Sequence, residues 1–201
     1  MGVTLNTMTR VNCTCFSHNL FLIDFLGAKI WNKITSFNLN SPDVSDAILF
    51  DAATRSGNIV NLTLANSDKI TPAGKCLWAS RILICEGLAA ILKGNKKIKT
   101  LDITGCLGLI NGADKVIVEN APQLQELGVA GFKDIVNDDW IRYVVSNLPQ
   151  LKKLDISGNT KLTENFTVGT ENWGHLEFLD CSNVANALND NGCKLIAQSK
   201  N

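Results

Sequence analysis

The chain has 201 residues, 45% of them hydrophobic, with 19 basic and 19 acidic side chains in balance. That apolar content suffices for one elongated domain with a continuous core. The zero net charge leaves no electrostatic footprint for nucleic acid or an anionic membrane. No run reaches the roughly 18 to 20 apolar residues of a membrane span, and Asp24 interrupts the nearest approach to one, residues 19–31.

Seven cysteines are an odd count, scattered over positions 13, 15, 76, 85, 106, 181 and 193. Short secreted disulfide scaffolds use even, clustered sets, so the spacing points to a reducing, intracellular compartment, cytoplasmic ahead of nuclear or mitochondrial. Cys13 and Cys15 sit too close for a zinc knuckle and no ligand pair follows them, so no metal or other cofactor is expected.

In chain order, residues 1–33 read as an N-terminal segment with a capping helix, in which Phe21, Leu22, Phe25, Leu26, Ile30 and Trp31 recur at helical spacing. From residue 34 one strand phrase then returns six times: an aliphatic, two variable residues, an aliphatic or Phe, one variable residue, and a last apolar residue. It reads Ile34-Thr-Ser-Phe37-Asn-Leu39, Ile59-Val-Asn-Leu62-Thr-Leu64 and Ile98-Lys-Thr-Leu101-Asp-Ile103. It continues as Leu124-Gln-Glu-Leu127-Gly-Val129, Leu151-Lys-Lys-Leu154-Asp-Ile156 and Leu176-Glu-Phe-Leu179-Asp-Cys181.

The phrases start 25, 39, 26, 27 and 25 residues apart. A period in the twenties carrying this phrase is the signature of a leucine-rich repeat solenoid. The expected fold is therefore α/β and right-handed, with parallel strands on the concave face, helices on the convex face, and six repeats over residues 34–201.

The third repeat predicts a helix from Ala113 to Asn120, closed by Pro122. In the fourth, Asn137 and Asp138 offer helix-capping acceptors, and Trp140, Ile141, Val144, Val145 and Leu148 make an apolar helix face. The fifth predicts a weaker helix around residues 162–166, the sixth a short one through Cys193, Leu195 and Ile196. Residues 73–85 break the period of the second repeat, and removing those thirteen restores it, so they read as an insertion. Its Leu77, Trp78, Ile82, Leu83 and Ile84 fit either a docking loop or a sequence variant.

The phrase Leu101-Asp-Ile-Thr-Gly-Cys106, with the helix exits Ala121-Pro-Gln-Leu124 and Leu148-Pro-Gln-Leu151, resembles the cysteine-containing, ribonuclease-inhibitor-like subclass of leucine-rich repeats. The best-known members are F-box proteins, whose repeats select substrates for ubiquitin ligases, although no F-box is recognisable before Ile34. The resemblance implies a protein-interaction module, with ubiquitin-ligase subunits among its partners. Related short arrays serve as assembly subunits, such as a mitochondrial ATP synthase-associated factor.

Alternation along each strand selects the residues that face solvent on the concave sheet. The expected partner-binding set is Asn38, Thr63, Asp102, Glu126, Lys153, Asp155, Phe178 and Asp180. Its later repeats hold four acids against one base, which suits a basic segment of a protein partner, and Phe178 is the aromatic anchor. Ala65 and Ala130 are expected on the same face. Catalysis finds no support: His18 and His175 lie outside any nucleophile motif, and the glycines form no phosphate-binding loop.

Overall fold

The structure, a computed structural model, describes residues 8–12, 28–40, 42, 44, 46–67, 86–107, 109, 112–132, 134–167 and 173–184. Their strands are β1 (Arg10–Asn12), β2 (Ser36–Asn38), β3 (Asn61–Thr63), β4 (Thr100–Asp102), β5 (Glu126–Gly128), β6 (Lys153–Asp155) and β7 (Phe178–Asp180). Between them run the helices α1 (Ala28–Trp31), α2 (Asp46–Arg55), α3 (Glu86–Gly94), α4 (Ala113–Asn120) and α5 (Asp138–Asn147). A 3-10 turn, Glu164–Thr167, takes the helix's place before β7.

All seven strands pair in parallel and in sequence order, making one open sheet. This is the leucine-rich repeat solenoid, with an α/β unit returning at each period. The middle residue of each inner strand (Phe37, Leu62, Leu101, Leu127, Leu154) is buried against the helices. The flanking residues face outward, as a period of two requires.

The sheet holds one strand more than the six phrases. β1 falls within the N-terminal segment, where Met8-Thr-Arg-Val11-Asn-Cys13 keeps the phrase spacing 26 residues before Ile34, with Met and Cys replacing the branched aliphatics. Of the expected capping helix, α1 is described, and residues 16–27 lie outside the described residues. Trp31 at its end is fully buried and meets Phe37 edge-on, with ring centroids 5.3 Å apart. The insertion 73–85 and the helix through Cys193 likewise lie outside; α3 begins at Glu86, directly after the insertion.

The helices form where apolar residues recur at three and four. In α5, Trp140, Ile141, Val144 and Val145 are buried, and the Asn137 side chain accepts the Trp140 N–H at 2.9 Å to cap the first turn. α4 spans the residues that its sequence predicts.

From β3 to β7, each strand is followed by a turn of constant geometry. Asn66, Gly105, Gly131, Gly158 and Asn183 all take positive φ, between 57° and 78°. Each lies two residues past the last apolar position of its phrase, and glycine and asparagine tolerate that left-handed region best. Their backbone N–H groups extend the sheet ladder: Asn66 donates to Thr104 O, Gly105 to Ala130 O, Gly131 to Ser157 O and Gly158 to Ser182 O, at 2.8–3.0 Å.

One residue further on, the chain dips inward and a polar side chain ties neighbouring repeats together. Ser67 Oγ donates to Leu39 O at 3.3 Å and Cys106 Sγ to Leu64 O at 2.8 Å. Asn159 Nδ2 donates to Val129 O at 3.0 Å and to Ile156 O at 2.8 Å, while its Oδ1 accepts the Phe132 N–H at 2.8 Å. All three side chains are fully buried. They satisfy backbone groups that would otherwise be stranded in the core.

Candidate partner-binding surface

The parallel register gathers the eight candidate residues into two straight rows on the open face of the sheet. Asn38, Thr63, Asp102, Gly128, Asp155 and Asp180 are consecutive partners in one row. Glu126, Lys153 and Phe178 are consecutive partners in the other. Neighbouring residues in a row stand about 4.8 Å apart, the spacing of hydrogen-bonded strands.

The charge balance of this face differs from a simple count of four acids and one base. Lys153 Nζ bonds Glu126 Oε1 at 2.8 Å across adjacent strands, so this acid and this base neutralise each other. The hydrogen bond and charge of Glu126 raise the Lys153 pKa. Asp102, Asp155 and Asp180 remain, with no ion pair to any of the three among the described residues.

Each aspartate also has a structural task. Asp102 Oδ1 accepts the Thr104 N–H at 3.0 Å, Asp155 Oδ1 the Ser157 N–H at 2.9 Å, and Asp180 Oδ1 the Ser182 N–H at 2.9 Å. Asn38 Oδ1 does the same for the Asn40 N–H at 3.1 Å. These Asx turns close each strand's exit and explain why Asn or Asp recurs at this position. The Ser182 N–H, and after it the Ser182 hydroxyl at 2.7 Å, hold the Asp180 carboxyl below the usual aspartate range. Each of the three carboxylates keeps its other oxygen, Oδ2, outside this turn.

Gly128 sits between Asp102 and Asp155 in its row. A Cβ there would stand 2.8 Å from Asp102 Oδ1 and 3.3 Å from Thr104 Oγ1, so the absence of a side chain leaves Asp102 its position. Phe178 is 54% exposed, one of three large apolar side chains to be so among the described residues, and it lies beside Lys153 and two residues before Asp180. Ala65 and Ala130, expected on this face, are buried instead. Both lie in the turns past the strand.

On the helical side, a cleft of about 360 Å³ is lined by Asn137, Asp138, Asp139, Arg142 and Asn165. Its polar groups are already engaged: Asp138 accepts the Thr163 N–H at 2.8 Å and the Thr163 hydroxyl at 2.6 Å, and Asp139 pairs with Arg142. No three His, Cys, Asp or Glu side chains converge as metal ligands among the described residues. No helix among them is long and apolar enough to cross a membrane.

No family model matches the chain, and no curated protein matches it. Solved structures do. A tropomodulin C-terminal domain from Caenorhabditis elegans superimposes with a TM-score of 0.55 at 9% identity, over 78% of this chain and 92% of that one. A TLR13–ssRNA13 complex superimposes with a TM-score of 0.60 at 18% identity, over 88% of this chain and 22% of that one. At such identities the likeness is one of fold, and it agrees with the leucine-rich repeat architecture.

Proposed function

We propose that this chain is a non-enzymatic protein-interaction module. It holds a basic, partly apolar segment of a partner protein on the open face of its sheet. The observation that carries the reading is the in-register placement of Phe178 beside the Asp155–Asp180 row. An exposed aromatic adjoins carboxylates that no cation among the described residues pairs, on strands whose geometry is fixed from beneath. A Lys or Arg of the partner docks on Asp155 and Asp180, and an apolar side chain packs on Phe178. Tropomodulin and TLR13, the latter solved with a single-stranded RNA, use the same repeat architecture, which supports a binding role. The acidic row disfavours a phosphate backbone as ligand on this face.

Selection of random displayed peptides on the purified chain tests the proposal. The expected winners carry Lys or Arg near an aliphatic or aromatic residue. Their binding falls at least about tenfold in Asp155→Lys/Asp180→Lys, tenfold being the loss of about 1.4 kcal/mol, and it also falls in Asp155→Asn/Asp180→Asn, which keeps the Oδ1 acceptor of each turn and so holds the fold. Winners indifferent to these double substitutions contradict the proposal.

At a finer level, the chain presents substrates to a ubiquitin ligase. Cys106 at the inward turn, with its thiol on the Leu64 carbonyl, supports this reading because it is the feature by which the repeats resemble the F-box group. Co-purification with cullin and adaptor subunits is the expected outcome. Stoichiometric recovery in one fixed organellar assembly favours a structural subunit instead.

A further inference from the structure

A second charged surface lies at the rim where the helices hand over to the strands. Lys93, Lys96, Lys97 and Lys99 fall within seven residues, from the last turn of α3 to the start of β4, and all four are exposed. None forms an ion pair among the described residues. Four other cations are ion-paired: Lys152 with Glu177 at 2.7 Å, Lys153 with Glu126 at 2.8 Å, Arg55 with Asp51 at 2.9 Å, and Arg142 with Asp139. The negative end of the α3 dipole accounts for Lys93, which lies in the last turn, but not for the three lysines beyond it.

The turn that carries these lysines is fixed on three sides. Beneath it, buried Asn95 donates to Ile91 O at 3.0 Å and to Ser56 Oγ at 3.1 Å, and accepts the Ile59 N–H at 3.1 Å. On one flank, Lys97 Nζ donates to Asn58 Oδ1 at 2.7 Å, and Asn58 in turn donates to Asn32 O at 2.8 Å. On the other flank, the Gln123 amide donates to Lys96 O and, at 3.3 Å, to Ile98 O. Like charges held together on a rigid turn repel one another, and a polyanion relieves that repulsion without ordering the backbone first.

We propose that the turn at residues 93–99 binds an acidic segment of a partner polypeptide. Single-stranded nucleic acid is disfavoured because it requires aromatic platforms. Neither exposed aromatic among the described residues, Phe50 or Phe178, lies on this turn or on the strands beside it.

The test titrates a labelled oligoglutamate peptide into the full chain at low salt, with an oligouridylate as the competing probe. Saturable, salt-sensitive binding is expected. It weakens at least about tenfold in Lys96→Glu/Lys99→Glu and less than about threefold in Lys115→Glu/Lys161→Glu, which moves the same net charge elsewhere. Lys96→Gln/Lys99→Gln, with a smaller loss in the same direction, guards against misfolding of the reversed variant. Absence of saturable binding, equal loss in both reversed variants, or tighter binding of the oligouridylate overturns the proposal. So does self-association in sedimentation that Lys96→Glu/Lys99→Glu abolishes, since the occupant is then a second copy.

Discussion

Single residues at constant positions do most of the work in each repeat. Gly131 shows the left-handed turn in isolation, since a Cβ there meets nothing within 4 Å. Gly131→Ala is therefore expected to destabilise through the backbone alone, by about 1 kcal/mol. Gly105→Ala is expected to cost more, because its Cβ would also stand 2.6 Å from Asn66 Oδ1. Denaturant titration of both variants checks the order, and equal losses contradict it. Asn159 is the other sensitive position. Asn159→Ala strips three hydrogen bonds from fully buried backbone groups, at about 1 to 3 kcal/mol for each group left unsatisfied.

The Asp180 carboxyl adds a pH dependence whose sign is fixed. Because its folded pKa is depressed, its contribution to stability is present above the ordinary aspartate range and lost as pH falls through the folded value. Ser182→Ala keeps the backbone N–H and removes the hydroxyl, so the carboxyl moves back up, which NMR titration of Asp180 reads directly. An unmoved titration removes Ser182 Oγ as a cause. Alternation along the strand made Asp180 legible as an outward residue. Its Asx turn was not legible, because a period of two gives a side chain's direction and not its bonding partner.

At the scale of elements, α2 and α3 lie closer than side chains other than glycine allow. A Cβ on Gly94 would stand 2.8 Å from Ala53 O, and one on Gly87 would stand 2.9 Å from the Asp46 Cα. Gly87 and Gly94 are seven residues apart, as are Asp46 and Ala53, so the two helices touch at both ends in matching register. Gly94→Ala pushes on backbone rather than on a side-chain tip. A loss of about 1 to 3 kcal/mol, of the kind overpacking causes, is expected in thermal or chemical unfolding. A variant as stable as the parent contradicts the close contact.

Helix lengths were legible where apolar spacing agreed with a boundary signal, Pro122 after α4 and the Asn137 cap before α5. The expected weak fifth helix shortens to a 3-10 turn, where Phe166 and Trp173 pack with ring centroids 5.9 Å apart in place of a helical stripe. β1 was hidden because Met8 and Cys13 do not read as the branched aliphatics of the phrase.

For the whole molecule, periodicity specified the architecture and most of the candidate surface, because each repeat repeats its pointing directions as well as its core. It left out the electrostatics across repeats. The Lys153–Glu126 pair needs residues 27 apart in sequence to be brought side by side, and only the register of β5 with β6 does so. That pairing narrows the proposed docking surface from a diffuse acidic strip to the Asp155–Asp180 row and Phe178. The most direct test places a photoreactive benzoyl-phenylalanine at position 178, with a control at Tyr143 on the helical side, and cross-links the full chain in its native extract. The account predicts one dominant cross-linked protein from position 178, absent from position 143 and lost in Asp155→Lys/Asp180→Lys. Equal cross-linking from both positions, or a product that survives the double substitution, would contradict it.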